Sequence, residues 1–140
     1  FSKNTSWNYL PNAKIGRDNY KIIDDSDIII SITSTLGYEA FARGKKTAFI
    51  SIRGCFLKEN REKSYRFAWP SNLPDNGPFW TNFVNRKDFL RIMDYLITVS
   101  DEDWFKNVEQ YSSKCMYYDE QNLKFLNEMK FLNVPIKDKK

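Results

Sequence analysis

The chain has 140 residues, 41% hydrophobic and 29% charged, which suits one globular domain with a real core and leaves little room for a second. Its net charge of +4 comes from 22 Lys and Arg against 18 Asp and Glu, with Lys130, Lys137, Lys139 and Lys140 crowding the C-terminal end. That balance suits anionic ligands or an anionic membrane surface, but it is too small to indicate nucleic acid as the partner.

Histidine is absent, which removes the commonest general base and metal ligand. Cys55 and Cys115 lie far apart without companion ligands, so they form neither a zinc spacing nor a disulfide framework. No run approaches the ~18 apolar residues of a membrane span, and no secretory signal is visible. These features predict a cytoplasmic protein that touches the inner face of the membrane only peripherally. The chain opens on Phe1 rather than Met, and a further domain ahead of it is expected. Aromatic residues make up 16% of the chain, and most are expected to fill the core.

Residues 1–17 are polar and broken by Pro11 and Gly16, as in a loop or linker. A short helix is expected over residues 18–26, with Tyr20, Ile22 and Ile23 on its apolar side. Residues 27–32 (DIIISI) form a compact β-branched run, the pattern of a parallel strand covered on both faces. Thr33, Ser34 and Thr35 can each cap a helix, and a helix is expected over residues 36–43, with Gly44 placed for a left-handed C-terminal cap. Residues 47–52 (TAFISI) give a second buried strand. Strand, helix and strand in so short a span predict a right-handed βαβ unit with strands 28–32 and 47–51 central in a parallel sheet.

From residue 53 to 84 no periodicity holds, and Gly54, Pro70, Pro74, Gly77 and Pro78 break the chain repeatedly. Such a long irregular segment is either functional or conceals an element. The remainder reads as helical. Asn85 to Asp88 resembles a capping box ahead of Phe89, Leu90, Ile92, Met93, Leu96 and Ile97. Ser100 to Asp103 is a second capping box, ahead of Trp104, Phe105, Val108 and Tyr111. A third helix is expected to carry Leu123, Leu126, Met129 and Leu132 and to end near Asn133 and Pro135. Tyr111, Tyr117, Tyr118 and Phe125 are expected to pack these helices together, and the basic tail to fray.

Chemistry concentrates at residues 31–39 (SITSTLGYE), where a parallel strand gives way to a helix. Open α/β sheets bind ligands beyond the carboxyl ends of their strands. The unpaired N–H groups of a first helical turn, at the positive end of its dipole, suit phosphate. Ser34 and Thr35 can add hydroxyl donors, Gly37 lets a bulky group approach the backbone, and Glu39 can accept from ribose hydroxyls. An ordinary capped helix with Glu39 on a solvated face has the same local sequence.

The irregular segment holds Arg53, Lys58, Arg61, Lys63 and Arg66 among Tyr65, Phe67 and Trp69. These could clamp phosphates and stack on a base, or form a solvated basic surface. Arg53 stands apart because it follows the second strand directly and so faces the same crevice. The acidic run Asp24-Asp25-Ser26-Asp27 is too poor in ligands for a hard cation and reads as a polar turn, so no metal is expected.

Residues 26–46 (SDIIISITSTLGYEAFARGKK) resemble the C-terminal domain motif of GT-B glycosyltransferases, in which a strand ends in a Ser/Thr-rich turn before a helix with a Glu-Ala pair and then Gly-Lys. The stretch is particularly similar to surface-carbohydrate biosynthesis transferases, whose strand is followed by Ser-Thr-x-Gly-Tyr-Glu. Sugar-nucleotide 2-epimerases and teichoic-acid polymerases share the general pattern. The motif covers about twenty residues.

The resemblance implies an α/β, Rossmann-like half of a two-domain GT-B architecture with a helical C-terminal segment. Its donor would be a nucleotide sugar, and its acceptor a carbohydrate or a lipid-linked carbohydrate. Ser34, Thr35, Leu36 and Gly37 would meet the diphosphate together with Arg53, and Glu39 the ribose, with no cofactor. Retaining members often carry a second Glu eight positions earlier, where this chain has Ser31, and that puts a retaining mechanism in doubt. No general base is visible, so the domain alone is expected to be inactive. Two rival functions are an epimerase half-domain and a non-catalytic module that binds single-stranded nucleic acid through the aromatic, basic segment.

Overall fold

A computed structural model of the chain describes residues 18–51, 73–119 and 121–135. In chain order the described elements are α1 (Asp18–Asp24), β1 (Ile28–Ser31), α2 (Thr35–Ala42), β2 (Lys46–Ile50), β3 (Trp80–Thr81), α3 (Arg86–Thr98), α4 (Asp101–Ser112) and α5 (Leu123–Phe131). The strands form one parallel sheet in the order β1-β2-β3, with Ile28 opposite Lys46 and Phe49 opposite Trp80. The α/β class and the parallel pairing of the two sequence-predicted strands are therefore observed.

Several expectations need correction. β2 is the central strand and β1 an edge among the described strands. Consistent with that, β2 is almost wholly buried, whereas Ile30 of β1 remains 49% exposed rather than covered on both faces. Secondly, the segment taken as irregular to residue 84 contains β3, a two-residue strand that completes the far side of β2. So short a strand has no periodicity to read, and its identity comes from its pairing with β2. Residues 52–72, including Arg53 and the other cations and rings of that segment, lie outside the described residues, as does the predicted linker 1–17.

Helix α2 lays Gly37, Ala40 and Phe41 on the sheet, the spacing of one helical stripe. Its C-terminus closes as expected: Gly44 has φ +87°, its N–H reaches Phe41 O at 2.9 Å, and Lys45 N–H reaches Ala40 O at 3.0 Å. The core is aromatic. Phe41 packs against Phe49, Phe79 and Trp104, while Phe79 and Trp80 meet Tyr111 edge-on. The indole N–H groups stay satisfied in this setting, Trp80 donating to Pro74 O at 2.8 Å and Trp104 to Gly44 O at 2.9 Å.

Both predicted helix starts are capped by the N-cap side chain, while Asp88 and Asp103 accept from that side chain rather than from the N-cap backbone N–H. Asn85 Oδ1 accepts from Asp88 N–H at 2.7 Å, and Ser100 Oγ accepts from Asp103 N–H at 3.1 Å. The broad apolar face predicted for α3 is only half used, since Ile92 and Leu96 are buried but Leu90 and Ile97 are exposed. The third C-terminal helix also departs from expectation: α5 buries no residue, and Tyr117, Tyr118 and Phe125 are exposed rather than packed. Amphipathic spacing gives a helix an apolar face without specifying what covers it. No described helix is long and apolar enough to cross a membrane.

Candidate functional site

Because the sheet is parallel, the carboxyl ends of β1, β2 and β3 share one edge, and the first turns of α2 and α3 start there. After Ser31 the chain needs only Ile32, Thr33 and Ser34 to enter α2. Ser34 is the N-cap, with extended backbone (φ −90°, ψ 134°), and its Oγ accepts from Leu36 N–H at 3.2 Å. Gly37 N–H turns back to Ser34 O at 3.1 Å. Leu36 and Gly37 N–H are thus both bonded to Ser34, and the helix dipole still leaves partial positive charge at this end.

Against this turn lies a cleft of about 280 Å³ whose lining joins Ser31, Thr33, Ser34, Leu36 and Gly37 with Ile23, Ile29, Ile30 and Ile32. Three of the expected site residues, Ser34, Leu36 and Gly37, are thus brought together around one space. Thr35 is exposed at the first helical position but does not line the cleft. Glu39 is a full turn further on and does not line it either.

The structure gives Gly37 a packing reason to be glycine, distinct from the ligand approach expected from the sequence. A Cβ at this position would fall 2.2 Å from Ser31 Oγ and 2.3 Å from Ser31 Cβ. Ser31 is buried, and its hydroxyl donates to Ser34 O at 3.3 Å. The pair lets α2 approach β1 closely and sets the height of the turn above the sheet. It also explains why Ser31 suits this position, since a longer side chain would drive α2 off the strand.

Glu39 has a partner that the sequence did not disclose. Its Oε2 accepts a hydrogen bond from the hydroxyl of Tyr20 on α1. This bond and the nearby Glu39 charge hold the Tyr20 phenol above its ordinary pKa, so it remains a donor. The two residues are nineteen positions apart, and no local pattern links them. The local sequence marks Tyr20 only as part of an apolar helix side.

A larger cleft, about 560 Å³, opens at the opposite edge of the sheet and includes Arg43, Lys45, Lys46, Asp101, Trp104 and Phe105. Its cations serve the chain itself. Arg43 meets Asp24 at 2.6 Å, Lys45 Nζ donates to the Asp24 and Ser26 carbonyls, and Lys46 Nζ reaches Val99 O at 2.9 Å and Asp101 at 3.1 Å. Asp24, in the acidic run, is thereby engaged in tying the α1–β1 turn to the end of α2. Among the described residues no group of three His, Cys, Asp or Glu could hold a metal ion. Cys115 is half-buried, and burial pushes its thiol pKa up.

No curated protein and no solved structure matches the chain. One family model, described as "putative O-antigen biosynthesis protein", matches residues 1–133. That match takes in the whole strand–turn–helix site, and its description carries the same surface-polysaccharide theme as the resemblance of residues 26–46. With nearly its full length covered, the chain belongs to this O-antigen biosynthesis family.

Proposed function

We propose that this chain is the donor-binding domain of a glycosyltransferase that moves a sugar from a nucleotide sugar during O-antigen biosynthesis. The observation that carries the reading is the Ser34-capped start of α2, standing beside a cleft at the carboxyl edge of a parallel sheet. Family membership supports the polysaccharide setting. In this reading the diphosphate rests on the first turn of α2, meeting Thr35 N–H, drawing Leu36 and Gly37 N–H from their bonds to Ser34, and taking hydroxyl contacts from Ser34 and Thr35. Leu36 and Gly37 supply backbone rather than side-chain contacts. Arg53 would join from the end of β2, and Glu39 would accept from the ribose.

Catalysis is then mainly electrostatic. The helix N-terminus stabilises the departing diphosphate, while a carbohydrate or lipid-linked acceptor and its base belong to a second domain. Such an acceptor implies work at the inner face of the membrane, with the domain itself only peripherally associated.

The test is calorimetric titration of uridine and cytidine diphosphates against the wild type and Glu39→Gln, with thermal melts in parallel. Glu39→Gln should weaken nucleotide binding by about 1–3 kcal/mol, the scale of a hydrogen bond to a charged group. Stability should shift by less than roughly 0.5 kcal/mol, as at most surface positions. Equal affinities would leave Glu39 as the partner of Tyr20 and nothing more, and no binding of either nucleotide would remove the donor-site reading.

A further inference from the structure

The Glu39 carboxylate is held by a chain of contacts that starts well outside the site. Asp24 fixes the Arg43 guanidinium at 2.6 Å, and that guanidinium lies 5.7 Å from the centroid of the Tyr20 ring and 5.5 Å from that of Tyr118. Tyr20, clasped in this way, donates its hydroxyl to Glu39 Oε2. Glu39 and Arg43 are one helical turn apart, so the α2 face turned toward α1 presents both groups to the same tyrosine. A glutamate otherwise has several rotatable bonds to order on binding, and fixing them in advance lowers that cost. A carboxylate can accept on both oxygens, so one bond from Tyr20 leaves capacity for another donor.

We propose that Tyr20 is a positioning residue: its hydroxyl orients the Glu39 carboxylate to accept from the ribose hydroxyls of the bound nucleotide and thereby sets the preference for ribose over a sugar lacking them. The proposal rests on the reading of Glu39 as the ribose partner. It assigns a role to α1 that neither the turn motif nor the family description contains. Tyr20→Phe is the clean variant, because it keeps the ring on Arg43 and removes only the donor.

The experiment titrates the full chain with uridine diphosphate and its 2′,3′-dideoxy analogue, and with the matching cytidine pair, using wild type, Glu39→Gln and Tyr20→Phe. Wild type should prefer the ribonucleotide, and Glu39→Gln should lose most of that preference. Tyr20→Phe should reduce the preference about fivefold, the scale of a lost hydrogen bond, while leaving affinity for the dideoxy analogue and the melting temperature unchanged. If Tyr20→Phe keeps the wild-type preference while Glu39→Gln loses it, the ribose reading stands and the role of Tyr20 is overturned. An equal loss on both members of a pair would make Tyr20 a structural contact, and also overturns the proposal. A wild type that binds both analogues equally removes the ribose reading and this inference together.

Discussion

At the carboxyl edge of the sheet the polar groups are small and mostly uncharged, whereas the opposite edge holds a cluster of cations and twice the cleft volume, about 560 against 280 Å³. Charge and size alone would favour the second edge as a binding site. The bonds there point the other way. Arg43, Lys45 and Lys46 reach carboxylates and carbonyls of the chain itself, and Trp104 closes the floor by donating to Gly44 O. The carboxyl edge instead offers hydroxyls and a helix N-terminus beside open space. A cation already engaged by the fold is a fastener, whereas the first turn of α2 keeps the positive end of its dipole beside open space.

Variants at the two edges should therefore separate stability from binding. The largest effect is expected for Trp104→Ala, which empties a buried indole site and strands the Gly44 carbonyl. It should cost about 4 kcal/mol in denaturant unfolding, in the range for truncating a large aromatic. A loss under about 1 kcal/mol would mean that α4 is not part of the core.

Next comes Gly37→Ala at the carboxyl edge. The added methyl meets the buried Ser31 side chain, and the variant should lose about 1–3 kcal/mol by overpacking. The double variant Ser31→Gly/Gly37→Ala should recover part of that loss, and no recovery would break the account of close helix–strand approach. Ser34→Ala should cost about 1 kcal/mol through the lost cap and also weaken nucleotide binding. A change in stability with binding intact would leave Ser34 a cap and nothing more.

At the opposite edge, Arg43→Gln removes the cation of a partly exposed pair and should cost less than about 1 kcal/mol, a loss that shrinks further in salt. The smallest effect concerns acid. The Asn85 amide hydrogen-bonded to Asp88 holds that carboxyl below its ordinary pKa, with Asn76 and Arg91 adding to the shift and partial burial opposing it. A depressed carboxylate contributes stability above its unfolded pKa and loses it as pH falls through the folded one. Asp88→Asn should thus lower the melting temperature slightly at neutral pH, where the carboxylate's contribution is fully present, and flatten the acid limb below the ordinary aspartate range, so that variant and wild type converge in acid.

Local chemistry made the βαβ unit legible. Three consecutive isoleucines, a hydroxyl-rich turn, the alanine-flanked helix and Gly44 each state their conformation within a few residues, and β1, α2, its cap and β2 all follow. The caps of α3 and α4 were legible for the same reason, because Asn85 and Ser100 act on groups three residues away. Apolar spacing placed α5 on the chain but did not say whether its face would be covered.

The sequence by itself determined the parallel strand pair, the helix that joins them and the hydroxyl-rich turn at the carboxyl end of β1, since propensity, capping and hydrophobic pattern act over short spans. Only the tertiary structure decided that β2 is central, that Trp80–Thr81 is a strand, that Gly37 fits over Ser31, and that Tyr20 holds Glu39. Each of those depends on contacts between residues distant in the chain. Such contacts are chosen by how the elements pack together, and no local run of residues encodes them.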